Sequence, residues 1–264
     1  MKEKNCPIDG EKMTPIFQCE ILNKYSIQYY SCPKCFFLQT ESPFWLDEAY
    51  EKAIVDIDTG IMERNIHNSL RVSACLYLLG CKKEEVIVDL AGGYGLLTRM
   101  LRDIGFNCWW SDKYCTNIVA KGFNITPNKK VKILCALEVL EHLENPITFL
   151  KNAIVEHNAE GIVFSTEEFK TIPNPDWPYY SRDSGQHISF YSTSSLQMIA
   201  KTLNWHYIPL PRHLHLLTKK TITKGQRILL KTYLLYLYGL WAIFRMRKYS
   251  RTHTDQIFFK KKQQ

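Results

Sequence analysis

The chain predicts an α/β fold: a mainly parallel sheet covered by helices on both faces, with a small cysteine-bearing segment before it and a basic helical extension after it. Three observations predict this. Strand-like runs alternate with helical patterns from Val86 to Ser165, and the strands are apolar throughout, as when both faces are covered. The first strand runs into a tight glycine cluster, "VDLAGGYGLLTRML" (Val88 to Leu101), which opens a helix. Cysteines mark the first forty residues, and lysines and arginines mark the last forty-five or so.

Taken in order, residues up to about Thr40 hold Cys6-Pro, a strand-like "KYSIQYY" and Cys32-x-x-Cys35. After Pro43 the pattern turns helical: "WLDEAYEKAI" is one amphipathic piece, "DTG" interrupts it, and a second helix runs from about Ile61 until Gly80 ends it. Then come strand Val86–Leu90, helix Tyr94–Ile104 closed by Gly105, and strands Cys108–Ser111 and Lys132–Leu137. A helix containing "ITFLKNAIVEH" and strand Gly161–Ser165 follow. Pro173 to Ser184, rich in Pro, Tyr, Trp and Asp, reads as a long loop over the sheet edge. "STSSLQMIAKTL" is a helix with a serine or threonine cap, and "WHYIPL" and "HLHLLTKK" are two closing strands. The organisation is residues 1–42, 43–82 (helical lid or linker), 83–220 (ligand-binding domain) and 221–264.

Composition is that of a globular protein, with 45% hydrophobic and 23% charged residues. The first ten residues have no apolar run of the signal-peptide kind, and nine scattered cysteines suit a reducing cytoplasm better than a disulfide framework. From Lys219 onward there are twelve basic residues and one acid, Asp255, a balance of +11 against −3 for the remainder, which together make the net +8. A mildly acidic body argues against nucleic acid as substrate.

The glycine loop admits two ligand classes. The dinucleotide fingerprint G-x-G-x-x-G lacks its third glycine here, where Thr98 stands. Asp89, at the end of the strand, would repel a pyrophosphate but suits a ligand bearing an ammonium and a sulfonium, as S-adenosylmethionine does. Asp112, ending the second strand, can accept hydrogen bonds from ribose hydroxyls of either ligand. "EVLEHLENP", with Glu138, Glu141 and His142, follows the strand "VKILCAL".

In this order, the strand-end acid, glycine loop, second-strand acid and Glu-x-x-Glu-His segment resemble the class I S-adenosylmethionine-dependent methyltransferases. The resemblance implies a Rossmann-like, mainly parallel seven-stranded sheet with its last strand inserted antiparallel. It implies that Asp89 reaches the methionine ammonium, that Ala91, Gly93 and Gly95 line the cofactor, that Asp112 holds the ribose and that Glu138 lies near the methyl donor. Ala91 replaces the usual first glycine, which is tolerated if it keeps φ negative. No Asn-Pro-Pro-Tyr-like motif follows the fourth strand, so an oxygen or carbon acceptor on a small molecule is favoured. His187, in "SGQHISFYS", is the candidate base, with Tyr179, Tyr180 and Tyr191 as candidate pocket walls, and Tyr191 is expected to act with His187 in catalysis. The plainer alternatives are that His187 fastens its loop, that Tyr191 packs in the core and that His142 is structural.

"CPIDG" at Cys6 resembles a zinc-ribbon knuckle with Asp9 in place of its second cysteine, and Cys32 and Cys35 supply the second knuckle. A structural zinc on Cys6, Asp9, Cys32 and Cys35 is expected, with Cys19 as substitute fourth ligand and a metal-free ribbon as the alternative. The whole N-terminal part resembles bacterial methyltransferases that act on sugars or surface-polysaccharide precursors; by that likeness Tyr50, Asp58, Arg64 and Asn65 form part of a lid, although Asp58 or Thr59 also reads as a helix cap. In the tail, Leu230, Leu234, Leu237, Trp241 and Phe244 recur at helical spacing. Packing on the core is the first reading of that face, and an interfacial helix held on anionic lipid by Arg245, Arg247, Lys248 and Arg251 the second. A nicotinamide-dependent oxidoreductase and a non-catalytic module with this fold are the rival functions.

Overall fold

The computed structural model describes residues 3–51, 59–126 and 129–262. In chain order the elements are β1 (Thr14–Ile21), β2 (Tyr25–Ser31), β3 (Leu38–Thr40), α1 (Leu46–Ala49), α2 (Ile61–Leu78), β4 (Val86–Leu90), α3 (Leu96–Ile104), β5 (Asn107–Ser111), β6 (Val131–Ala136), α4 (Pro146–His157), β7 (Gly161–Ser165), β8 (Glu168–Phe169), β9 (Ser189–Ser192), α5 (Thr193–Leu203), β10 (His206–Leu210), β11 (Leu214–Thr218), α6 (Lys224–Leu229), α7 (Thr232–Met246) and α8 (Thr252–Lys262).

The larger sheet has the order β10-β11-β7-β6-β4-β5. β4 pairs in parallel with β5 and β6, while β11, the last strand, lies between β10 and β7 and runs antiparallel to β10. Among the described residues this sheet has six strands, not the seven expected. The reason is length. Only Asp112 to Lys130 separate β5 from β6, too few for two crossovers of about ten residues or more each around an extra edge strand. In its place a single parallel bridge joins Trp110 to Asn124.

The chain divides into two compact units. The first comprises Met1–Val55, Leu137–Glu156 and Phe164–Lys219. Within it the N-terminal strands do not stand alone: β1, β2, β3 and β9 pair antiparallel in sequence, and β8 adds to β9 in parallel. One face of this sheet buries Ile27, Tyr29, Leu38, Trp45, Ile188 and Phe190 around Tyr180. α5 begins where expected, with the Ser192 hydroxyl accepting from the Ser195 N–H at 2.9 Å. Of the helical piece expected at "WLDEAYEKAI", α1 is the described part, and the stretch 52–58, including Asp58, lies outside the described residues.

The second unit comprises Asp56–Ala136, His157–Val163 and Lys220–Gln264. β4 is apolar apart from Asp89 and is buried from Ile87 to Leu90, the acid included. α2 starts at Gly60 with no side-chain cap, so Thr59 does not cap it. The tail packs on this unit, though not by the face its spacing suggests. Leu230 is buried, but Leu234, Leu237, Trp241 and Phe244 are exposed, Leu237 by 62% and Phe244 by 76%. Leu235, Ala242 and Met246 are buried instead. The helix is apolar all round, so periodicity does not choose its buried side; small residues do. Gly239 lets α7 approach α2 until an added Cβ would lie 2.5 Å from the Leu70 carbonyl oxygen. Tyr77 of α2 then meets the Trp241 ring edge-on, with centroids 4.9 Å apart. Further on, Asp255 of α8 takes two hydrogen bonds from Arg102 of α3, at 2.6 and 2.8 Å, and a third contact at 2.9 Å from Arg99.

Candidate active site

In the second unit, β4 delivers the chain into a turn that three left-handed residues hold open: Ala91 (φ 51°), Gly93 (φ 54°) and Gly95 (φ 88°). Ala91 therefore does not keep a negative φ, and its side chain costs about 1 kcal/mol there. The turn is over-determined by its neighbours. The Gly92 N–H donates to the Ser111 carbonyl, the Trp110 indole N–H donates to the Gly93 carbonyl at 2.9 Å, and the Gly93 N–H donates to Asp112 Oδ2 at 2.9 Å. A Cβ at Gly92 would meet Trp110 Cδ1 at 2.7 Å and Asp89 Oδ2 at 2.8 Å. Gly95 caps α3 without a side chain, which leaves the first-turn N–H groups of that helix facing outward.

Asp89 is 3% exposed, with the Thr98 hydroxyl donating to its Oδ2 at 2.9 Å. Burial, with a smaller contribution from the charge of Asp112, pushes its carboxyl up to about 7. Asp112 is half-buried and accepts three backbone N–H bonds, from Gly93, Tyr114 and Cys115, at 2.7–2.9 Å. Two carboxylates and a helix N-terminus suit a ligand bringing a positive group and hydroxyl donors, which are what S-adenosylmethionine carries.

The first unit holds a second polar cluster. Glu138, two residues past β6, is itself left-handed (φ 54°). The Ser165 hydroxyl accepts from its N–H at 2.8 Å and donates to its Oε1 at 2.5 Å, closing a ring that holds the strained residue. The next residues make a 3-10 turn, Leu140–His142. The fully buried Tyr191 donates from its hydroxyl to the Leu140 carbonyl at 2.7 Å. A side chain so committed holds the turn through its hydroxyl. Tyr180 is likewise buried in the sheet core.

Glu141 is fully buried, accepts from the Tyr179 hydroxyl at 2.8 Å, and is pushed well above the usual carboxylate range by burial and by the charge of Glu138. His142 Nδ1 lies 3.1 Å from the Gln186 carbonyl and 2.8 Å from Tyr50 Oη, and burial pushes its pKa down to about 3. His187 Nδ1 lies 2.7 Å from the Tyr179 carbonyl, and burial lowers its pKa too. The two imidazoles meet edge to face, with centroids 4.9 Å apart. His142 is thus a partner of His187 rather than a turn-stabiliser alone. Reading the sequence named Tyr179 as a pocket wall and Glu141 within the Glu-x-x-Glu-His segment, but gave neither the part it plays here, and it passed over Ser165. Ser165 and Tyr179's double role have no local signal, and nothing in the spacing said that Glu141 turns inward.

At the N-terminus, one ligand atom each from Cys6, Asp9, Cys32 and Cys35 lies within 4.8 Å of every other. The Cys6 and Cys35 sulfurs are 3.6 Å apart, Cys32 Sγ is 3.4 Å from Asp9, and the Cys35 N–H donates to Cys32 Sγ at 3.5 Å. Cys19 does not join them: its thiol points to the Pro175 carbonyl at 3.7 Å. Of the residues expected in a lid, Tyr50 meets His142 in the first unit, while Arg64 and Asn65 are in α2, where the Asn65 amide donates to the Ile61 carbonyl.

The carboxyl of Asp89 carries a stability consequence. Its folded value, about 7, lies above its ordinary 3.8, so the folded chain keeps a proton that the unfolded chain loses over that interval. This contribution is present below about pH 3.8 and is lost as pH rises through about 7. Asp89→Asn should raise the melting temperature of the ligand-free protein most at pH 8, by at most about 4 kcal/mol of stability, the gain shrinking towards pH 5. A thermal melt series that shows no pH-dependent gain would contradict the burial argument.

The sequence matches the methyltransferase-domain family over residues 62–222, more than half of the chain. No curated protein matches it. Solved structures similar to it include magnesium protoporphyrin IX methyltransferase from Synechocystis PCC 6803 with bound S-adenosylhomocysteine (14% identity, 66% of this chain and 94% of that chain, TM-score 0.43). Human N-acetylserotonin methyltransferase in complex with S-adenosylmethionine is another (13% identity, 67% and 66%, TM-score 0.39), as is an O-methyltransferase family protein from Burkholderia thailandensis (12% identity, 68% of each chain, TM-score 0.42). The chain belongs to the methyltransferase-domain family, and it is an S-adenosylmethionine-dependent methyltransferase.

Proposed function

We propose that this enzyme methylates an oxygen or carbon of a small molecule, with a saccharide or surface-polysaccharide precursor as the leading acceptor. The observation that carries the cofactor half is the buried Asp89 at the end of β4, ahead of a turn that leaves no room for a side chain at Gly92. Bound S-adenosylmethionine supplies an electrophilic methyl group on a sulfonium. Asp89 pairs with its ammonium, Ala91, Gly93 and Gly95 give backbone approach, and Asp112 receives the ribose hydroxyls with the lone pairs left by its three N–H donors. Glu138, held in its left-handed conformation by Ser165, is assigned to the methionine side of the cofactor. His187 is the residue through which the acceptor's proton is drawn off, because its Nδ1 is spent on a carbonyl and its Nε2 lone pair is left.

The saccharide reading rests on the N-terminal likeness noted in the sequence. Cys6, Asp9, Cys32 and Cys35 would hold a structural zinc that ties the two knuckles together. Among the described residues no helix is long and apolar enough to cross a membrane. The outward row Leu234, Leu237, Leu240, Trp241 and Phe244, beside Arg245, Arg247 and Lys248, supports peripheral contact with an anionic membrane from the cytoplasmic side.

Titration calorimetry with S-adenosylmethionine and with NAD tests the cofactor reading. S-Adenosylmethionine should bind and NAD should not. Its affinity should rise as pH climbs through about 7, where Asp89 ionises, and fall at least tenfold in Asp89→Asn; binding of NAD alone would sink the proposal. Metal analysis of protein purified without added zinc should find zinc that Cys32→Ser loses together with thermal stability, and a zinc-free, equally stable wild type would refute the knuckle. Sedimentation with vesicles containing phosphatidylserine should retain the protein at low salt, with Leu237→Asp/Phe244→Asp abolishing retention. Equal recovery of both proteins in the supernatant would rule the membrane contact out.

A further inference from the structure

We propose that Glu141, His142 and His187 form a binding site for a divalent metal ion, distinct from the cysteine knuckle, which holds an oxygen of the methyl acceptor. The proposal rests on the methyltransferase reading for its purpose but not for its geometry.

Ligand atoms of these three residues lie within 4.8 Å of one another, the spacing that lets one ion touch all three. Glu141 supplies the observation that points to a ligand. Its side chain is fully buried, Oε1 takes the Tyr179 hydroxyl, and Oε2 is buried with no hydrogen-bond partner among the described residues. A buried carboxylate oxygen left unsatisfied is costly, and a cation is the partner that makes it favourable.

The histidines are set as ligating histidines are set. The Tyr179 carbonyl can only accept, so His187 carries its proton at Nδ1 and keeps its lone pair at Nε2; His142 Nδ1 faces both the Gln186 carbonyl and the Tyr50 hydroxyl, and the tautomer that donates to the carbonyl keeps its lone pair at Nε2 as well. A backbone carbonyl on the far nitrogen is the usual means of aiming an imidazole at a metal. Tyr179 serves two of the three ligands at once: its hydroxyl donates to Glu141 and its carbonyl accepts from His187. Tyr50 Oη, 2.8 Å from His142 Nδ1, braces the third.

Two imidazoles and one carboxylate suit Mn, Fe, Co or Zn, and three protein ligands leave positions open for oxygens from outside. An acceptor hydroxyl bound there loses its proton more readily than in water. The Nε2 lone pair of His187 would then be spent on the ion, whose charge would acidify the bound hydroxyl so that its proton passes to solvent water. This favours an oxygen acceptor over carbon.

Manganese is the probe that separates this site from the knuckle, since thiolates prefer softer ions. The chelator-stripped full-length protein is titrated with Mn²⁺ and free ion is read by electron paramagnetic resonance, with S-adenosylmethionine binding measured on the same preparation. One equivalent should bind to wild type, and Glu141→Gln and His187→Ala should each weaken it at least tenfold, about the loss seen when even a ligand's supporting partner is removed. Because a variant can fail to fold, Co²⁺ spectra of wild type give a second reading: weak d–d bands of nitrogen–oxygen ligation beyond the first, thiolate-bound equivalent. Absence of Mn²⁺ binding and of those bands overturns the metal site, as does Mn²⁺ binding that well-folded His187→Ala leaves unchanged. If S-adenosylmethionine binds while Mn²⁺ does not, the metal inference fails alone; if Mn²⁺ binds and S-adenosylmethionine does not, the cofactor reading fails and the metal site stands.

Discussion

Keeping a carboxylate out of water at the end of β4 is the constraint on which the cofactor unit turns. Asp89 is held by Thr98 alone among the hydrogen-bonding partners of the described residues, through its hydroxyl and its backbone N–H. Everything around it accommodates that side chain: the bare Cα of Gly92, the indole of Trp110 across the turn, and three residues in a conformation that side chains resist. Burial of an acid with so little compensation is unfavourable in the free protein. It becomes favourable when a positively charged group arrives, so the ligand-free state is strained in the sense that helps binding and discriminates by charge sign.

A comparable arrangement governs the first unit. Tyr179 ties an acid, a histidine and the backbone of Glu167 into one network, and Tyr191, Ser189 and Ile188 anchor the turn that carries Glu141 and His142. The five-stranded sheet supplies the rigidity. β9 is paired on one side with β3 from the N-terminal segment and on the other with β8, and it carries Ser189 and Tyr191 inward. The cysteine-bearing segment therefore shares a sheet with the residues that hold this cluster in place.

Much of this was legible in the sequence, for reasons that can be named. Val86–Leu90 reads correctly because a strand covered on both faces must be apolar throughout. The turn after it reads correctly because glycine is concentrated where φ is positive. Asp89, Asp112 and Glu138 stand out in the sequence because strand ends are marked by the change from apolar to charged residues. What stayed hidden is what tertiary structure decides. Ala91 gives no hint of its left-handed backbone, Ser165 looks like any strand-end serine, and the inward turn of Glu141 depends on a tyrosine 38 residues away. The buried face of α7 was misjudged because hydrophobicity surrounds that helix, and Gly239 and Ala242 select the contact by their size. That six strands and not seven stand in the larger sheet among the described residues follows from the chain length between β5 and β6.

The extension beyond the family match is not an appendage. The guanidinium of Arg102 lies in the interior, 3.5 Å from the centre of the Phe123 ring, and its counter-charge is Asp255, the one acid among the tail's basic residues. A protein shortened to the matched span would strand that cation in a dry interior with nothing to neutralise it. Exchange of C-terminal segments between relatives would succeed only where the incoming segment brings an acid to the same spot. The boundary of the homologous region and the boundary of the cooperative folding unit are therefore two different lines on this chain.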